Sequence, residues 1–146
     1  MRVLYLCDPV RSMDAQQKAQ YADADIITFC ENERWLDKAQ TAFSQRRYAA
    51  VAAEGYACAI ALALAVQLPV DRLIMKNCAV FKKSIYKNVP VQLRRIAAYA
   101  RRNTALAAAE ICLADTDKAE IQKIRRAISR HANVKIWEKW PFFSQN

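Results

Sequence analysis

Two rhythms of hydrophobic and polar positions run along this chain. Short apolar runs bounded by turn residues read as strands, and longer segments with a 3.6-residue apolar repeat read as helices. The short runs at 2–7 (RVLYLC), 25–29 (DIITF), 48–53, 72–75 (RLIM), 110–114 (EICLA) and 133–137 (NVKIW) predict six strands. Residues 31–47 carry Trp35, Leu36, Ala39, Ala42 and Phe43 on one face, which predicts an amphipathic helix with Trp35 in the core. A short helix is expected at 14–22 and another at 91–103, broken by the pairs Arg94-Arg95 and Arg101-Arg102. A further helix opens at Asp115 or Asp117 and runs to Arg130, with Ile121, Ile124, Ala127 and Ile128 as its apolar face. Either aspartate is a natural N-cap. Residues 57–67 are different, because their apolar positions face every direction. Such a helix belongs against a sheet and under a neighbour.

The segment 48–75 organises the rest. It reads strand, tight turn, buried helix, strand, which is a right-handed βαβ unit, and its turn holds the only glycine of the chain, Gly55. A β-carbon at that turn is expected to clash, so Gly55 should adopt a backbone conformation unfavourable for residues with a β-carbon. Strands alternating with helices predict an α/β fold: a three-layer αβα sandwich on a mainly parallel six-stranded sheet, in a single domain over 1–146.

Composition narrows the class. With 54% hydrophobic residues in 146, one good core and no second domain is the expectation. The longest apolar run, 57–66, is too short to span a bilayer, and the start MRVLYLCDP is too short and too quickly charged for a signal peptide. A cytoplasmic protein without a membrane role is expected. The five cysteines lie in or beside core elements at irregular spacing, and a single histidine is present. That pattern fits reduced thiols and no metal site. Residues 1–75 hold 8 basic and 9 acidic side chains, and residues 76–146 hold 15 and 5, so the net charge of +9 resides in the second half. The asymmetry suggests an anionic ligand, an acidic protein surface or nucleic acid, and the plainer reading, solvated helix faces, stands beside these. The aromatic tail Trp140-Pro141-Phe142-Phe143 is suited to covering the sheet edge or to docking on a second copy as a homo-oligomer.

The run Ala53-Glu54-Gly55-Tyr56-Ala57 and the small-residue helix after it resemble the nucleophile elbow of the α/β-hydrolase family, small-x-nucleophile-x-small. The resemblance implies the strand order 2-1-3-4-5-6 and, with only 77–88 available for an insertion, a minimal lidless molecule. It implies a nucleophile at Gly55, where glycine provides none. It places the triad acid at Asp117, with Asp115 as the alternative, and a histidine after the last strand, where the chain has Glu138-Lys139-Trp140-Pro141-Phe142. The sole histidine, His131, precedes that strand. The oxyanion loop corresponds to Cys7-Asp8-Pro9-Val10-Arg11-Ser12, in which Pro9 has no amide and Asp8 opposes an oxyanion.

A serine-hydrolase mechanism cannot be assembled from these residues. The reading is a catalytically degenerate hydrolase-like protein that binds a protein or a small anionic ligand, using no cofactor. Glu54 and Tyr56 flank the elbow, and Cys7 and Cys78 end neighbouring strands, so these four are the candidate ligand-binding residues. One alternative is a hydrolase with a displaced site built from Glu54, Cys58 and Asp117. Another is nucleic-acid association through the basic second half.

Overall fold

The computed structural model describes residues 2–9, 23–31, 33–80, 110–128 and 135–137. Five strands of five residues, β1 (Val3–Cys7), β2 (Ala24–Thr28), β3 (Ala50–Glu54), β4 (Arg72–Lys76) and β5 (Glu110–Ala114), pair side by side. A three-residue strand, β6 (Lys135–Trp137), closes one edge. The order is β2-β1-β3-β4-β5-β6 and every pairing is parallel. Among the described residues there are three helices, α1 (Trp35–Gln45), α2 (Ala57–Gln67) and α3 (Lys118–Ile128). This is an α/β fold with a mainly parallel sheet, as the alternating rhythm predicts.

All three helices bury side chains on one face of the sheet. There Leu4, Leu6, Val51, Ala53, Leu73, Met75, Ile111 and Leu113 meet Trp35 and Ala39 of α1, the whole of α2 from Ala57 to Val66, and Ile124 and Ile128 of α3. The opposite face is smaller-grained, with Tyr5, Cys7, Ala50, Ala52, Ile74, Cys112 and Ala114. The helix expected at 14–22, the segment 81–88, the helix at 91–103, His131 and the aromatic tail lie outside the described residues.

The centre of the structure is α2. It packs on β1, β3 and β4 and against α1, and every residue from Ala57 to Val66 is buried. Five alanines on this helix permit that close approach, and Gln40 of α1 donates to Gln67 at its end. Trp35 is fully buried; its ring stacks on Phe29 at 4.8 Å and its Nε1 donates to the Cys30 carbonyl at 2.8 Å.

Element boundaries differ from the sequence reading where side chains override propensity. The helix expected from residue 31 begins at Trp35, because Glu33 turns back to accept from the Cys30 amide at 3.0 Å and Arg34 is extended at φ −83° and ψ 98°. It ends at Gln45, with Arg46 extended. The third strand starts two residues later than expected and includes Glu54, and the fourth continues to Lys76. The last helix opens at Lys118, with the Asp117 carbonyl accepting from the Ile121 amide at 3.0 Å.

Candidate functional site

In an open parallel sheet, ligand sites form at the carboxyl ends of the strands, at the point where the strand order reverses. Here that point lies between β1 and β3, since β1 leads outward to β2 and β3 leads the other way to β4. Cys7 and Glu54 are register partners at this position. The next residues along the two strands are Asp8 and Gly55.

Gly55 has φ 66°, in the left-handed region. The expectation of a backbone conformation unfavourable for residues with a β-carbon is met. Two more strand ends share this device: Asn77 after β4 has φ 51° and Asp115 after β5 has φ 47°. Asparagine and aspartate tolerate that conformation best among residues with a β-carbon. The left-handed residues carry the ladder one step beyond the strands, with the Gly55 amide donating to the Lys76 carbonyl at 3.1 Å and the Asn77 amide donating to the Ala114 carbonyl at 3.0 Å. The Gly55 carbonyl then accepts from the amides of Cys58 and Ala79, both at 3.2 Å. Strand, elbow and helix start are thereby locked to the β4 exit.

The carboxylates at the ends of β1 and β3 are turned inward. Asp8 is fully buried, and its Oδ2 accepts from the Tyr56 amide at 3.0 Å. Glu54 is 9% exposed; its Oε2 accepts from the Tyr5 hydroxyl at 3.2 Å and its Oε1 from the Asn77 side-chain amide at 3.4 Å. Glu54 forms no ion pair among the described residues. Tyr56 is half-buried at the mouth of the elbow.

The cysteines are likewise interior. Cys7, Cys58 and Cys78 are buried, and the Cys58 Sγ contacts the Lys76 carbonyl at 3.6 Å. Burial pushes the Cys58 thiol well up, and the neighbouring Cys78 thiol adds to the effect. Cys112 is pushed up to about 11, again chiefly by burial. A thiol held protonated in this way is a poor nucleophile.

Of the sequence-derived candidates, the structure gathers Cys7, Glu54, Gly55, Tyr56, Cys58 and Cys78 at one end of the sheet. Asp117 and Asp115 do not join them. Both are exposed after β5, two strands away from Glu54, and Thr116 between them accepts from the Cys78 amide at 3.2 Å. Three participants went unrecognised in the sequence: Tyr5, Asn77, and Asp8 as the acceptor for Tyr56. The available signal was the position of Asn77 and Asp8 just past a strand's carboxyl end, with Asp8 stopping a fully apolar run; Tyr5, in the middle of β1, gave none. Among the described residues, no group of three or more His, Cys, Asp or Glu side chains is placed to hold a metal, and no helix is long and apolar enough to cross a membrane.

Comparison of the sequence with protein-family models and with curated proteins finds no match to either.

Proposed function

We propose that this protein is a degenerate, lidless α/β-hydrolase-like domain that acts by binding a small anionic ligand and does not hydrolyse it. The strand order 2-1-3-4-5-6 and the turn Ala53-Glu54-Gly55-Tyr56-Ala57, with its left-handed central residue, support the likeness.

One contact carries the loss of hydrolysis. In hydrolases of that fold, the amide following the nucleophile stabilises the tetrahedral oxyanion. Here the corresponding amide, Tyr56 N–H, is already engaged by the buried Asp8 carboxylate at 3.0 Å. An incoming oxyanion would meet a fixed negative charge where the chemistry needs a free donor. Gly55 supplies no nucleophile, and the buried, protonated Cys58 does not replace it.

The test is turnover of p-nitrophenyl butyrate by the wild type, by Gly55→Ser and by the double variant Asp8→Asn/Gly55→Ser. No variant should exceed the buffer rate, because a serine without a base stays protonated. Wild-type turnover that disappears on replacing Glu54 or Cys58 would instead establish a displaced-site enzyme.

A further inference from the structure

Strand β2 is an outer strand of the sheet and pairs on one side only, with β1. The Val3 amide donates to the Asp23 carbonyl at 3.2 Å and the Phe29 amide donates to the Cys7 carbonyl at 2.9 Å, so residues 23 and 29 direct backbone groups at β1. Alternation along an extended strand turns the backbone groups of Asp25 and Ile27 the same way and those of Ala24, Ile26 and Thr28 outward. Among the described residues, the one group that meets the outward row is the Lys38 ammonium, which donates to the Thr28 carbonyl at 3.2 Å.

Such an edge is a template for another strand, and sheets blunt it with prolines, bulges or charged side chains. β2 has no proline and keeps an unbroken register with β1, so its backbone is straight enough to pair. Its guard, Lys38, reaches only the last carbonyl of the row and leaves Ala24 and Ile26 open.

The side chains agree with the backbone. β2 is the one five-residue strand in which no residue is fully buried. At its centre stands Ile26, 38% exposed and the one exposed large hydrophobic among the described residues. An antiparallel pairing of β2 with its own copy, centred there, sets Ile26 against Ile26 and Ala24 against Thr28. Apolar surface then lies on the two-fold axis, where water is most fully excluded.

The ends fit the same register. Asp23 is exposed and forms no ion pair among the described residues. In the pair it adjoins the copy's Thr28, beside which the copy's Lys38 lies. The Thr28 carbonyl would take the copy's Ala24 amide, and the ammonium proton so released would turn to Asp23 while Lys38 keeps its bonds to Glu33. The guard of one molecule becomes a bridge to the other. A two-fold contact of this kind closes on itself, whereas joining β2 to the three-residue β6 at the far edge would give an open filament on a shorter ladder.

We propose that β2 is a self-pairing edge, through which two copies of this chain join antiparallel about an axis at Ile26 and merge their sheets into one. The proposal goes beyond the ligand-binding role described above and does not depend on it.

Sedimentation equilibrium of the full-length protein tests it, together with amide hydrogen exchange read residue by residue at low and high concentration. A dimer is expected whose formation slows exchange at Ala24 and Ile26 by about tenfold or more. Exchange at Asp25 and Ile27, already bonded to β1, should stay the same. Ile26→Lys changes an exposed position, so it should fold and sediment as a monomer. Should that variant fail to fold, the exchange contrast in the wild type decides alone. The register is read with Ile26→Cys in a Cys30→Ser background, since Cys30 is also exposed. Facing residues of a hydrogen-bonded antiparallel pair lie about 5.5 Å apart between Cα atoms, inside the range of about 4.4–6.8 Å that a disulfide spans. Mild oxidation should therefore cross-link this variant, and not Thr41→Cys on the exposed side of α1 in the same background. A wild type that stays monomeric at all concentrations would overturn the proposal. So would a dimer in which exchange at Ala24 and Ile26 does not depend on concentration, because the contact would then lie on another surface. Cross-linking of Thr41→Cys as fast as that of Ile26→Cys would overturn the register.

Discussion

The two ends of the sheet manage charge in opposite ways. At the carboxyl ends of β1 and β3 the acidic groups are buried and answered by neutral donors: Tyr56 N–H for Asp8, and Tyr5 and Asn77 for Glu54. At the amino end the acidic groups are part-exposed and answered by arginines: Arg2 with Asp25 and Arg72 with Glu110. Buried carboxylates bonded to neutral donors fix backbone geometry and are costly to disturb. Part-exposed ion pairs contribute little to stability. The carboxyl ends of β1 and β3 are therefore fixed by buried neutral hydrogen bonds, and the amino end is tied by part-exposed ion pairs.

Substitutions should separate the two ends by magnitude. The largest effect is expected from Asp8→Ala, which strands the Tyr56 amide in a buried turn and should lower the unfolding free energy by about 2–3 kcal/mol in urea denaturation. An equal loss from Asp25→Ala would break the comparison. Next comes Gly55→Ala, since a β-carbon at φ 66° costs about 1–2 kcal/mol; a midpoint unchanged from wild type would show that the turn relaxes.

The third test uses pH. Hydrogen bonds from Arg2 and Tyr48 hold the Asp25 carboxyl well below its ordinary range. Its folded form thus binds a proton less readily than its unfolded form, and the stabilisation is complete above the ordinary aspartate value of about 4. It is lost as the pH falls further, so thermal melts of Asp25→Asn should show a shallower acid slope than wild type. Tyr48 provides the alkaline counterpart. Burial and its bond to Asp25 push it up to about 12, so folding is penalised as the pH climbs from the ordinary tyrosine value of about 10 toward the folded value. Tyr48→Phe should remove that alkaline slope, as read by the same melts. The smallest effect belongs to Glu110→Gln, which breaks a part-exposed pair and should cost less than about 1 kcal/mol; a larger loss in the same denaturation experiment would mean that the amino end is structural as well.

The sequence exposes some of this directly and hides the rest for physical reasons. The elbow is legible because a chain with one glycine places it where strand meets helix, and α2 is legible because no polar residue interrupts its faces. The strands follow from their apolar runs. The contact between Asp8 and Tyr56 spans 48 positions and depends on β1 lying beside β3, which no local pattern encodes. Asp25 looks like the polar start of a strand, and only the pairing of β1 with β2 brings Arg2 to it. Asn77 and Asp115 look like loop residues, and their left-handed turns become evident only when three strand ends are seen together. The late start of α1 is set by Glu33 folding back on Cys30, a choice that helix propensity alone does not make.

Helix α2 has a consequence for the time domain. Its residues Ala57 to Val66 are buried on all sides, between the sheet and its neighbours, so water reaches their amides only when the surrounding layers come apart. Hydrogen exchange along this helix should require the global opening of the molecule, while exposed helix ends exchange through local fraying. The interior amides of α2 should then exchange at a common slow rate, and that rate would report the stability of the whole chain without denaturant.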